Sequence, residues 1–102
     1  MVASAEFHAL VAQLEPVFDA AVVTGDADQL FASGYLRGHF DLAVAQLELN
    51  DQAQASAIMP AVRASVEANK HELKPADQAL IQGLLDQLEA VAATTADATT
   101  RL

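Results

Sequence analysis

Tyr35 and His39 stand four residues apart, so on a helix their rings meet on one face. Such a pair could serve acid–base chemistry, with Arg37 and Gln46 of the same helix as further candidate lining. Tyr35, Arg37, His39 and Gln46 therefore make up a candidate pocket for small-ligand binding or weak acid–base catalysis. The plainer reading of the same residues is a core histidine hydrogen-bonded to Tyr35 or to a neighbouring helix, because a buried polar group must find a partner.

The other patterns that could carry chemistry are incomplete. A di-iron bundle places Glu-x-x-His on one helix face, but the residues three before His8, His39 and His71 are Ala5, Leu36 and Ala68. His39 and Asp41, two apart, diverge by about 200° on a helix at 100° per residue and cannot share a metal. Asp26 and Asp28 look like the start of a calcium loop, yet Leu30 and Phe31 follow directly and no terminal Glu closes the loop. There is no cysteine, which removes disulfides, thiolate nucleophiles and cysteine-held metals together. Phosphate-binding glycine loops, nucleophile elbows and HExxH are absent. No catalytic residue, cofactor site or metal site is expected.

Charge narrows the partners. The 102 residues carry 14 acids against 5 Lys+Arg, a net charge of −9. Residues 1–50 hold a single base, Arg37. Nucleic-acid phosphates and anionic membrane surfaces both require a basic patch, so the expected partners are proteins: a basic partner or a second copy. The N-terminus lacks the basic and apolar regions of a signal peptide, and no uncharged stretch reaches the roughly 18 residues of a membrane span. A cytoplasmic protein is expected.

The elements that must position these residues are helices. Of the apolar residues 23 are alanine, the strongest helix former. Four segments show a 3.6-residue period and predict helices over 4–24, 27–49, 52–69 and 75–93. The first carries Phe7, Leu10, Val11, Leu14, Val17, Phe18, Ala21 and Val22 on one stripe, with Ser4 as a cap and Gly25 as its stop. Asp26 and Gln29 have capping-box spacing at the second helix, and Asp51 and Gln54 repeat it at the third. Pro16 and Pro60 lie opposite their helices' apolar stripes, where they either kink the helix or split it. Pro75 suits the first turn of the last helix, whose stripe is Leu80, Ile81, Leu84, Leu85, Leu88 and Val91. The expected fold is all-α: one domain over 1–93, an up-down-up-down four-helix bundle, with a disordered tail over 94–102 that has no apolar period.

The second helix is apolar over too wide an arc. Ser33, Arg37, Asp41 and Glu48 form one polar strip. Phe31, Gly38, Leu42, Ala45 and Leu49 make one apolar flank, and Ala32, Leu36, Phe40, Ala43 and Leu47 the other, together spanning roughly 220° at 100° per residue. Tyr35, His39 and Gln46 fall between the flanks, where burial is expected to be deepest. Such a helix is either central or leaves one flank to a partner. Gly34 and Gly38 each cost about 1 kcal/mol relative to Ala in a helix, which predicts close packing of another backbone or ring against them. Arg37 is expected to pair with Asp41 or Ser33 on the wet strip, or with an acid of another helix or chain.

The run Asp28-Gln29-Leu30-Phe31-Ala32-Ser33-Gly34-Tyr35-Leu36-Arg37-Gly38-His39, with Leu42-Ala43 and Leu47-Glu48, resembles the signature segment of the YfcL-like family of small bacterial proteins. Pro75-Ala76-Asp77-Gln78-Ala79-Leu80 is similar to that family's last-helix opening, with Lys74 where a Ser-like cap would stand. The family has no assigned activity, so the resemblance implies a cytoplasmic bacterial helical domain and no mechanism. Two functions remain: a non-enzymatic interaction or adaptor module using Phe31, Ser33, Gly34, Tyr35, Arg37, Gly38, His39 and Gln46, or a ligand site around Tyr35, Arg37 and His39.

Overall fold

The computed structural model describes residues 5–101, and the side chains of Thr24 and of residues 95–101 are outside that description. Four helices follow one another: α1 (Ala5–Thr24), α2 (Ala27–Leu49), α3 (Ala55–Asn69) and α4 (Pro75–Arg101), with a 3-10 turn at Lys70–Glu72 before α4. Among the described residues there is no strand. The expected cap Ser4 lies outside them.

Local chemistry sets the helix ends. At α2 the capping box forms as its spacing predicts: Gln29 N–H donates to Asp26 Oδ1 at 2.9 Å, and Asp26 N–H donates to Gln29 Oε1 at 3.0 Å. Gly25 precedes it with negative φ, so its role is room rather than a left-handed backbone. A Cβ there would sit 2.4 Å from the Ala21 carbonyl oxygen and 2.9 Å from Gln29 Cβ.

The third helix begins at Ala55, not at 52 as the Asp51/Gln54 spacing predicted. Asp51 instead adopts φ 56°, and the C-terminus of α2 closes through Gln52 N–H to the Leu47 carbonyl at 2.8 Å and Asp51 N–H to the Glu48 carbonyl at 3.3 Å. This is a Schellman closure with aspartate in the left-handed position usually held by glycine. Asp51 ends one helix and cannot cap the next.

Both internal prolines lie inside continuous helices, with Pro16 and Pro60 exposed on the outer faces. They do not split α1 or α3. At α4, the Gln78 amide donates to the carbonyls of Lys70 at 3.1 Å and Leu73 at 3.0 Å, tying the 3-10 turn to the first turn of the helix. The α4 backbone stays helical to Arg101, beyond the boundary predicted at 93. A helix backbone satisfies its own hydrogen bonds, so the helix can continue past the end of its apolar stripe.

The four stripes meet in one core, except at the end of the first, where Val22 is 66% exposed. Phe7, Leu14 and Phe18 of α1, Leu36 and Phe40 of α2, Ile58 and Val62 of α3, and Ile81, Leu85 and Leu88 of α4 are fully buried. Phe18 and Phe40 pack ring to ring at 5.3 Å between centroids, tilted by 50°. Ser33 bonds Phe18 from a matching distance across the α1/α2 linker, His39 meets Ser65 likewise across the α2/α3 linker, and Arg63 reaches Asp86 across the last. Neighbours in sequence therefore run antiparallel, the up-down-up-down arrangement the short linkers predicted. Each of the four helices packs against the other three, so α2 is not singled out as central and is not enclosed.

Candidate functional site

Which side of α2 the bundle takes decides where a site can be. Its buried residues are Ala32, Ser33, Leu36, Phe40 and Ala43. The core thus takes the Ala32/Leu36/Phe40/Ala43 flank and leaves the other in water. Leu42 is 52% exposed, Leu49 83% and Phe31 43%. Together with Gly34, Gly38 and Ala45, all exposed, they occupy an arc of about 80° at 100° per residue. Isolated exposed apolar side chains are ordinary, but a contiguous strip along one helix marks an interaction surface.

The two glycines sit in the middle of this strip, and beyond the adjacent backbone of α2 itself no atom lies within 4 Å of a Cβ built on either. The close packing expected at Gly34 and Gly38 does not occur within the chain. With this flank outside the bundle, no other helix of the chain approaches them. The glycines form a shallow notch between Phe31 and Leu42.

The polar residues divide between the borders of the strip. On the α1 side, Arg37 pairs with Asp19, Nη1 to Oδ1 at 3.0 Å, and its guanidinium lies 5.8 Å from the centre of the Phe18 ring. The interhelical pairing thus prevails over Asp41 or Ser33. Ser33 is not on the wet strip as expected: it is 3% exposed and its hydroxyl donates to the Phe18 carbonyl at 3.2 Å. The small side chain lets α1 approach closely enough to bury it. Asp41 and Glu48 remain exposed along this border.

On the α3 side, the rings of Phe31, Tyr35 and His39 stack in sequence, with centroids 6.1 Å and then 4.7 Å apart. His39 Nδ1 lies 2.6 Å from Ser65 Oγ of α3, the hydrogen bond to a neighbouring helix that the plainer reading anticipated. Tyr35 and His39 are half-buried at the edge of the core rather than at its centre, and Phe31 and Gln46 are exposed. The Tyr35 hydroxyl is buried without a hydrogen-bond partner. Burial, and then the negative charge of Glu72, push its pKa above the usual phenol value.

Arg37 and the Tyr35/His39 pair therefore face opposite borders and do not converge on one ligand. Ser65 and His39 both sit mid-helix, where backbone N–H groups are engaged and offer no backbone oxyanion hole. A concavity of about 390 Å³ lies between α1, α2 and α4, lined by Val17, Ala21, Ala32, Leu80 and Gly83 among others, and a smaller one of about 260 Å³ between α3 and α4. Neither is lined by Tyr35, Arg37 or His39. Among the described residues no group of three His, Cys, Asp or Glu is placed to hold a metal ion, and no helix is long and apolar enough to cross a membrane.

The flank of Leu42, Ala45 and Leu49 is legible on the wheel, which leaves open whether it is core or left to a partner, and Ser65 and Asp19, which fix His39 and Arg37, give no signal in sequence. Residues 8–90 match the family model described as YfcL protein. The protein named "Uncharacterized protein YfcL" of Escherichia coli (strain K12) is 42% identical over 86 residues, covering 82% of this chain and 90% of that one. No solved structure matches the chain.

Proposed function

The chain belongs to the YfcL family, and we propose that it is a non-enzymatic cytoplasmic interaction module whose docking surface is the outer face of α2. The observation that carries this reading is the solvent-exposed strip through Phe31, Gly34, Gly38, Leu42 and Leu49. Its glycines cost the isolated helix stability and pack against nothing in the bundle. A partner helix seated in the notch supplies a use for them. Because the α2 backbone is already hydrogen-bonded along its length, the partner must satisfy its own backbone, which favours a helix over an extended strand.

Magnitudes limit what the apolar contact can do. Covering what remains exposed of Phe31, Leu42 and Leu49 is worth on the order of 1 kcal/mol each, given about 1.5–3 kcal/mol for burying a whole side chain. Association costs roughly 4–15 kcal/mol. The strip alone supports only a weak contact, and a functional one draws on polar or charged groups at its borders.

Site-specific photocrosslinking in bacterial cells tests the reading. A photoreactive residue at position 42 on the strip is expected to give a discrete adduct that the same residue at position 64, exposed on α3, does not. Equal patterns from the two positions, or no adduct from 42, would count against it.

A further inference from the structure

The strip has an acidic frame, and the arginine beside it is already paired. Asp41 and Glu48 are exposed along one border, and Glu72 bears on Tyr35 at the other. Arg37, the one base of residues 1–50, is bound to Asp19. Elsewhere, Arg63 is engaged by Asp86 and Glu89, and Lys70 by Glu67. Two copies of a chain with net charge −9 repel. In an antiparallel two-fold pairing through α2, the Asp41/Glu48 border of one copy would lie beside the same border of the other.

Resting on the docking face proposed above, we infer that its occupant is a cationic amphipathic helix of a different protein. Small and branched apolar residues on that helix fill the notch at Gly34 and Gly38, while Lys or Arg beside them reach Asp41 and Glu48. Opposite charges at the borders supply the attraction that the apolar strip lacks and set the orientation of the incoming helix.

The test uses two synthetic helical peptides with the same Leu/Ala face, one with Lys and one with Glu at its polar positions, titrated into the whole protein and followed by amide NMR. The Lys peptide is expected to bind with shifts centred on Gly34, Gly38 and Leu42, at least tenfold more tightly than the Glu peptide, and to weaken with added salt. Asp41→Asn with Glu48→Gln should cost about tenfold, and Leu42→Glu, at a position exposed enough to tolerate it, should abolish the shifts. Equal binding of both peptides at α2 would overturn the cationic occupant and leave the docking face standing. Self-association sensitive to Leu42→Glu would do the same, naming a second copy instead. Lys-peptide binding that survives Leu42→Glu would overturn the inference as charge attraction elsewhere, and no binding with no self-association would overturn both the inference and the face.

Discussion

Gly34 and Gly38 stand one helical turn apart on the outer face of α2, and beyond the adjacent backbone of α2 itself a Cβ on either would touch nothing within 4 Å. The fold does not require them. Gly34→Ala and Gly38→Ala are each expected to stabilise the isolated protein by roughly 0.5–1 kcal/mol, through helix propensity and a less flexible unfolded chain. Urea denaturation of each variant measures this; loss of stability would mean that the notch has a structural role.

Gly25 should behave in the opposite way. A Cβ there meets backbone, the Ala21 carbonyl oxygen at 2.4 Å, and the capping side chain of Gln29. Gly25→Ala must open the α1/α2 turn or break the capping box, at about 1–3 kcal/mol. The same denaturation assay should therefore give opposite signs for Gly25 and Gly38.

Tyr35 is the only tyrosine and there is no tryptophan, so tyrosinate absorbance reads it alone. Burial and Glu72 raise its pKa, which means the folded state holds the phenolic proton more tightly than the unfolded state. The associated stability is fully present below the unfolded phenol value, about 10, and is lost as pH rises through the higher folded one. The absorbance midpoint should lie above that of the urea-unfolded chain. Tyr35→Phe removes an unpaired buried hydroxyl and should be neutral or stabilising by about 1 kcal/mol at neutral pH, with its advantage over wild type growing in alkali. A destabilised Tyr35→Phe would indicate a partner for the hydroxyl.

The Arg37–Asp19 pair is exposed, with side chains 39% and 66% accessible. Asp19→Asn should cost less than about 1 kcal/mol. It should nonetheless weaken the Lys-peptide complex, because it removes one negative charge and frees a positive one beside the strip. Calorimetric titration at low salt compares the two; unchanged affinity would place the partner away from this border.

The four stripes were readable because each has large apolar residues at helical spacing, and the core uses them: Phe7 to Phe18, Ile58 to Val66, Ile81 to Leu88. The capping box at Asp26 was readable for a local reason, since both partners lie within one turn. What could not be read was the choice between the two flanks of α2. Phe31/Leu42/Leu49 and Leu36/Phe40/Leu47 are similar in sequence, and only the positions of α1, α3 and α4 decide which is covered. The errors at Ser33, Gly34 and Gly38 follow from that choice. Asp51 misled in another way, because a short polar residue suits both an N-cap and a left-handed C-terminal position.

The most direct test of the docking face is the yield of the adduct from a photoreactive residue at position 42, compared between the wild-type background and the Gly34→Ala/Gly38→Ala background. The double variant is predicted to be more thermally stable and to lose most of the adduct, because its added methyl groups fill the notch while strengthening the helix. An undiminished adduct in that stabilised background would contradict the account.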